Sequence, residues 1–450
     1  MSRLLAVAAC RQGAAEADIR EFDGRTVGWF RLDGGAHRGA IGTVEGETIE
    51  RLVRTAVDVG VPIVGVLATS GADVTEGVAS LHAWGRVARA LSQASGSVPI
   101  VLAVVGPCVS GPALLLGMAD IVVMTAEATA YVSGPAVVEQ LTGVRVTHSV
   151  LGGAAVHAAR SGVASLVADD EEAALHAVAD VLAYLPSNYM EEPPLHWTDD
   201  AADRTSDVAA RTVPESATSS YDVRVVVRDV VDEGSVFEVR ALHAGNVVTA
   251  FATVEGRPVG VIANQPCQLA GTLDIEASKK AARFVQLCDS FNLPLLTFVD
   301  TPGFQPGKDI EWRGMIRHGA ELVHAYAAAT VPRICVVLRK AYGGAFIVMD
   351  SKGMGNDACF AWPKAELAVM GAPGAVQILH GKRLTEPAER AKLEADYAAR
   401  YCSPDMAAKR GYVDEVIPPE ETRRAVVGAL RALKNKRERL PQRRHSNSPL

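Results

Sequence analysis

Two tandem copies of one α/β layered fold are predicted for this chain of 450 residues. Its length is the first reason: it exceeds what one hydrophobic core serves and suits two domains of about two hundred residues each. Alternation is the second, since short apolar runs suited to strands are followed by helix-length segments. Repetition is the third. Gly24-Arg25-Thr26-Val27-Gly28 returns as Gly256-Arg257-Pro258-Val259-Gly260, and Val61-Pro62-Ile63-Val64 returns as Leu293-Pro294-Leu295-Leu296. Ser70-Gly71 falls where Pro302-Gly303 does. Val98-Pro99 opens a run to Ser110-Gly111, and Val331-Pro332 opens one to Gly343-Gly344. The offset stays at 232 or 233 residues, which marks a duplicated unit.

The elements follow in order. Residues 1–185 make the first half, with strands expected at 27–32, 62–67, 100–105 and 121–124. Helices such as 48–59 and 78–94 lie between them. Residues 186–220 read as an exposed linker. Leu185-Pro186-Ser187-Asn188, Pro193-Pro194 and a stretch rich in Asp, Thr and Ser lack periodicity there. The second half spans 221–434, opens at Tyr221-Asp222-Val223-Arg224 and holds a buried strand at 334–338. A basic tail, 435–450, follows Lys434. It is expected as a solvated end; the sharper alternative is a strip that docks on a neighbouring subunit or an acidic carrier.

Composition excludes several classes. Apolar content of 48% with 22% charged residues is that of a globular protein, and aromatics at 5% favour layers packed through small residues. The net charge of −7 argues against a general nucleic-acid binder. Seven scattered cysteines, Cys10, Cys108, Cys267, Cys288, Cys335, Cys359 and Cys402, form no C-x-x-C pair. Neither a zinc ribbon nor a dithiol motif is supported, and a reducing, cytoplasmic setting is expected. Val98 to Ala119 carries no charge and is long enough to cross a bilayer. Gly106-Pro107 and Gly111-Pro112 break it, and its copy contains Arg333, Arg339 and Lys340, so a buried strand and helix are expected instead. Leu4 to Cys10 ends like a lipoprotein leader, but its apolar run is short and Arg11 follows at once, so no leader is expected.

Chemistry concentrates where strands meet glycines. Arg339-Lys340-Ala341-Tyr342-Gly343-Gly344-Ala345 ends a buried strand and begins a helix. Glycine lets backbone approach a ligand closely. The first N–H groups of a helix have no internal partner and sit at the positive end of its dipole. Two such groups aimed at one point make an oxyanion hole, although a plain structural turn reads the same way. The first-half copy is Gly106-Pro107-Cys108-Val109-Ser110-Gly111-Pro112. Donors at Ser110 and Gly111 would keep a hole; donors at Gly111 and position 112 would not, because Pro112 has no N–H.

The sequence resembles the carboxyltransferase (β) subunit of acyl-CoA carboxylases, the propionyl-CoA and acetyl-CoA carboxylases of actinobacterial type. The resemblance covers nearly the whole chain. Its most specific stretches are Arg257 to Pro266, Lys280-Ala281-Ala282-Arg283-Phe284-Val285 with Cys288-Asp289, Phe298 to Phe304, Ile316-Arg317-His318-Gly319-Ala320, Arg339 to Ala345, and Ala361-Trp362-Pro363 with Met370-Gly371-Ala372. Gly106-Pro107-Cys108, Gly134-Pro135, Leu151-Gly152-Gly153, His157 and Ser161-Gly162-Val163 add to it.

This resemblance implies a crotonase-type (ClpP/enoyl-CoA hydratase-like) β-β-α superhelix in each half. It implies biotin on a partner carrier protein as cofactor, a CoA thioester as substrate and no metal. The implied partners are a biotin carboxylase/biotin carboxyl carrier (α) subunit, the acyl-CoA and five further copies in a homo-hexamer, with neither nucleic acid nor membrane. It makes Gly344 and Ala345 the donors of a biotin-side hole, and Ser110 and Gly111 those of a thioester-side hole. Charge on a ureido or thioester oxygen develops only along the reaction, so fixed donors favour the transition state over the ground state. Substrate-binding roles are implied for Gly343, Gly134, Pro135, His157 and Arg317, and Ile347 matches a position tied to acyl-chain choice. Three of these have a plainer alternative: a core isoleucine for Ile347, a hydrogen-bonded histidine for His157 (and likewise for His318), and a subunit contact for Arg317. Asp300 reads equally as catalytic or turn-shaping.

Departures gather in the first half. The lead before Gly24 is several dozen residues shorter than is usual in the family. A glycine-rich turn has become Gly34-Gly35-Ala36-His37-Arg38-Gly39-Ala40. A Ser-Gly-Gly-Ala-Arg stretch has become Thr69-Ser70-Gly71-Ala72-Asp73, and a tyrosine has become Leu114. The expected function is carboxyl transfer to a short-chain acyl-CoA. The alternatives are a biotin-dependent decarboxylase or transcarboxylase of a malonyl-type thioester, and a scaffolding subunit with an eroded acyl-CoA site. A direct hydratase is disfavoured, because Glu139 lacks a partner carboxylate.

Overall fold

The computed structural model describes residues 10–381 and 386–449. The leader-like residues 4–9 lie outside them. The chain divides into two compact units, residues 1–194 with 240–243, and 195–239 with 244–450.

The first unit is built on an eight-stranded sheet. Its strands are β1 Cys10–Gln12, β2 Ala15–Phe22, β3 Arg25–Leu32, β4 Ile63–Thr69, β5 Ile100–Val109, β6 Ile121–Thr125, β7 Thr129–Tyr131 and β8 Leu166–Ala168. They run in the order β1-β2-β3-β4-β5-β6-β8, and β7 pairs with the far end of β5. β1–β3 are antiparallel and the rest parallel. β4 and the first half of β5 are apolar on both faces, as parallel strands covered on both sides require. Helices Thr43–Val59 and Val78–Ala94 pack beside them through Ile49, Leu52, Val53, Val87 and Leu91.

The second unit repeats this plan. β9 Phe237–Glu238, β10 Val247–Val254, β11 Arg257–Asn264, β12 Leu295–Thr301, β13 Arg333–Tyr342, β14 Ala358–Ala361, β15 Glu366–Ala368 and β16 Glu415–Val416 lie in the order β16-β14-β13-β12-β11-β10-β9, with β15 beside β13. The repetition extends to register. Gly28 pairs with Ile63, and Gly260 with Leu295. A register shift falls between Leu67 and Thr69 and again between Val299 and Thr301. Two turns repeat as well: His37, Arg38 and Gly39 are all left-handed, and so are Leu269, Ala270 and Gly271.

Three expectations need adjustment. The first helix starts at Thr43, because the Glu45 carboxylate accepts the Gly42 N–H at 3.0 Å and caps it. β5 passes the expected 100–105 and β13 the expected 334–338, each continuing to Val109 and Tyr342 as the longer runs to Ser110-Gly111 and Gly343-Gly344 imply; Arg339 pairs with Asp300 at 3.0 Å and the Lys340 ammonium donates to Ala217 O at 3.0 Å. Residues 186–220 are tied down rather than loose. In the first unit, Asn188 Nδ2 donates to Gly60 O at 3.0 Å. In the second, Arg204 pairs with Asp200 at 2.7 Å, and the fully buried Arg423 donates to Ala201 O at 2.9 Å. Among the described residues no helix is long and apolar enough to cross a membrane.

Candidate functional site

In the second unit the site forms where β13 ends. Tyr342 closes the strand, Gly343 turns left-handed at φ 61°, and the short helix Gly343–Val348 begins with no side-chain cap on its N–H groups. A left-handed φ disfavours a side chain at 343. Gly344 is exposed, Ala345 fully buried, and Ile347 44% exposed, so Ile347 is no core residue in the chain by itself. A Cβ on Gly344 would find only the Phe304 ring, at 3.5 Å, an ordinary contact distance. Tyr342 donates its hydroxyl to Glu366, and burial with that carboxylate pushes the phenol well above its usual range.

Beneath the turn lies a buried clamp. The fully buried Asp300 accepts from Arg339 Nε at 3.0 Å on one oxygen and from the Lys340 N–H at 3.2 Å on the other. Its own N–H donates to Asn264 Oδ1 at 3.3 Å. Arg339 Nη1 also donates to Ser216 O at 2.7 Å and Ser219 O at 2.8 Å, and the guanidinium lies 5.1 Å from the Tyr221 ring centre. Burial pushes the Lys340 ammonium down. Both Asp300 oxygens are thus engaged in holding β12 and β13 in register, whereas the bonds inside the Thr301-Pro302-Gly303 turn are made by the Thr301 hydroxyl.

The first unit offers a controlled comparison. The last β5–β7 pair is Val109 with Tyr131, and the last β13–β15 pair is Tyr342 with Ala368. Ser110 therefore matches Gly343, Gly111 matches Gly344, and Pro112 matches Ala345. Ser110 is left-handed at φ 66°, as Gly343 is. Its N–H donates to Tyr131 O at 2.9 Å and is not free. The expected Ser110–Gly111 donor pair is thereby corrected: only the Gly111 N–H is left, since proline has none. A residue overlooked in the sequence stands beside it. Gly71, at φ 105°, packs so closely that a Cβ there would come 2.8 Å from Ser110 Cβ. The partner of its N–H is the neighbouring Thr69 hydroxyl, at 3.1 Å. Its match Gly303, at φ 143°, makes the same contact with Thr301 at 3.4 Å. The signal was present as the repeated Ser70-Gly71 and Pro302-Gly303.

β7 gathers most of the other first-half candidates. His157 donates from Nε2 to Ala130 O at 2.7 Å and accepts at Nδ1 from the Ser161 hydroxyl at 2.7 Å, which makes it a brace for β7. Gly134 precedes the helix Pro135–Thr142, where proline suits the first position, and a Cβ on it would lie 3.4 Å from the Tyr131 ring. Arg317 belongs to the other unit, exposed on the helix Met315–Ala328. The neighbouring His318 bonds Glu321 at 2.8 Å. Glu139 pairs with Arg145 at 2.5 Å, and Leu114 is 53% exposed. Among the described residues no cluster of His, Cys, Asp or Glu could hold a metal ion.

Known proteins resemble this chain in sequence and fold. The family model described as a carboxyl transferase domain matches residues 17–448. The propionyl-CoA carboxylase beta chain of Saccharopolyspora erythraea is 45% identical over 446 residues, 95% of this chain and 82% of that protein. The methylmalonyl-CoA decarboxylase subunit alpha of Veillonella parvula is 41% identical, over 95% of this chain and 84% of that protein. Among solved structures, the hexameric transcarboxylase 12S with hydrolysed methylmalonyl-coenzyme A bound superposes with a TM-score of 0.95 at 40% identity, covering 97% of this chain and 85% of that one. The crotonase-like fold expected from the sequence is shared with these neighbours.

Proposed function

The chain belongs to the carboxyl transferase family, and on that premise we propose that it is the carboxyltransferase component of a biotin-dependent acyl-CoA carboxylase. Its acceptor would be the α-carbon of acetyl-CoA or propionyl-CoA, and its setting the cytoplasm. It would work as a homo-hexamer with a biotin carboxylase/carrier subunit. The supporting observation is the uncapped helix start at Gly344 and Ala345, set by the left-handed Gly343. Backbone donors with no side-chain cap, beginning at an exposed glycine, fit a neutral ureido oxygen. Biotin, when present on its carrier, supplies the carboxyl group and accepts a proton.

The chain itself contributes position and dipole. The Gly344 and Ala345 N–H groups face one oxygen at the positive end of the helix Gly343–Val348. In the first unit the Gly111 N–H, with Gly71 beside it, would face the thioester oxygen as the α-proton leaves. Asp300 and Arg339 hold together the β12–β13 edge on which the turn is built.

A second reading uses the same donors in the opposite direction. The decarboxylase and transcarboxylase relatives favour carboxyl removal from a malonyl-type thioester. One experiment separates the two. Carboxylated biotin carrier is offered with acetyl-, propionyl- and butyryl-CoA, and free biotin carrier with methylmalonyl-CoA. Faster label transfer onto the acyl-CoA supports the carboxylase. Appreciable transfer only in the second arm supports the decarboxylase or transcarboxylase. A folded protein inactive in both arms would leave the scaffolding role.

A further inference from the structure

Resting on the acyl-CoA reading above, we propose that Arg38 binds a phosphate group at the nucleotide end of the CoA thioester. It would supply the cation that the opposing loop lacks. Arg38 lies in the turn after β3, and three backbone hydrogen bonds lace that turn to the loop after β4. Ser70 N–H donates to Arg38 O at 2.9 Å, Ile41 N–H to Gly71 O at 2.8 Å, and Asp73 N–H to Ile41 O at 3.0 Å. The second loop packs on Ser110 through Gly71. Arg38 therefore stands at the rim of the Gly71–Gly111 donors, at the carboxyl ends of parallel strands where open α/β sheets take their ligands.

The two acids on the second loop take their hydrogen bonds from threonines and not from Arg38. Asp73 accepts from the Thr75 N–H at 2.8 Å and hydroxyl at 2.7 Å, which pull its carboxyl below the usual range. Glu76 accepts from the Thr43 N–H and hydroxyl, both at 2.7 Å. Arg38 is exposed, and among the described residues its guanidinium has no hydrogen-bond or ion-pair partner. The fold does not ask for arginine here. The matching residue of the second unit is Ala270, with φ 54° and ψ 21° against 54° and 27° at Arg38. A β-carbon alone therefore satisfies the turn. An unpaired, planar cation at the mouth of a thioester site suits a phosphate.

The test measures binding to the whole protein by calorimetry, alongside KM in the transfer assay. Arg38→Ala copies Ala270 and keeps the turn; Arg38→Lys restores the charge. The probes are propionyl-CoA, its 3′-dephospho form and propionyl-pantetheine, which has no phosphate. Arg38→Ala should weaken propionyl-CoA about tenfold, the scale of one charge-assisted contact discounted for exposure. Arg38→Lys should recover most of that, and propionyl-pantetheine should bind both variants as it binds the wild type. A loss that persists with the dephospho form assigns the diphosphate; one that vanishes assigns the 3′-phosphate. Unchanged propionyl-CoA binding in Arg38→Ala, or equal weakening of pantetheine, overturns the proposal. A wild type that binds propionyl-CoA without transferring carboxyl sinks the proposed reaction and leaves this contact measurable. A wild type that binds no CoA thioester sinks both.

Discussion

Replacing Asp300 with alanine should destabilise the second unit strongly and disturb the reaction only through that loss. The substitution strips Arg339 Nε and the Lys340 N–H of their acceptors. The pair is fully enclosed, with Asp300 at 0% and Arg339 at 5% side-chain exposure, so solvent does not compensate. Breaking a buried ion pair from one side costs about 3–5 kcal/mol. Arg339 keeps the Ser216 and Ser219 carbonyls, which places the expected cost near the low end, about 3 kcal/mol. For a unit of this size that lowers the midpoint of thermal unfolding by roughly 6–12 °C. Asp300→Asn keeps one oxygen, enough for Arg339 or for the Lys340 N–H but not both, and should lose about half as much. Calorimetric melting followed by label transfer well below the midpoint checks both parts. A variant that melts like the wild type yet has lost transfer by several orders of magnitude would make Asp300 a catalytic group and refute the clamp.

Other substitutions probe separate parts of the account. Gly111→Ala drives a Cβ to 2.9 Å from the Trp84 ring, so it should cost about 1–3 kcal/mol and reduce transfer to the thioester, read by melting and by kcat. Gly39→Ala puts a Cβ 1.9 Å from Ala68 O at φ +67°, and should impair folding of the first unit more than Gly111→Ala does, read by chemical denaturation. Asp350 gives a pH signature. Burial outweighs Arg333 and pushes its carboxyl up to about 7, so the folded chain holds a proton that the unfolded chain releases near the ordinary value of 3.8. Its contribution is complete below the unfolded value and is lost as pH rises to the folded one, at about 1.4 kcal/mol per pH unit. The stability difference between wild type and Asp350→Asn should therefore drift with that slope between pH 4 and 7 and level off above it; a flat difference would contradict the assignment.

The duplication was legible because it is written in local chemistry. Glycines that need left-handed φ, prolines that open strands and apolar runs of strand length recur at one offset, and the pairings of Gly28 with Ile63 and Gly260 with Leu295 repeat it. What escaped was set by partners far along the chain. Arg339 and Lys340 lie past the apolar run 334–338, and what keeps them in β13 is Asp300, some forty residues earlier, which accepts from the Arg339 guanidinium and the Lys340 N–H. Residues 186–220 lack periodicity, but Arg423 reaches back to Asp200 and Ala201 to fasten them. At the site, the turn at Gly343-Gly344 was readable from composition. The fate of the Ser110 N–H was not, because its acceptor belongs to β7, a three-residue strand with no pattern of its own.

The most direct test of the carboxyltransferase account compares Gly344→Pro with Gly344→Ala for label transfer from carboxylated biotin carrier to propionyl-CoA. Alanine keeps the N–H and meets only Phe304 at ordinary contact distance, so it should transfer at close to the wild-type rate. Proline is accepted in the first turn of a helix but removes the donor, which should lower kcat by about 10²–10³-fold in a protein that melts normally. A folded Gly344→Pro that transfers as fast as the wild type would contradict the account.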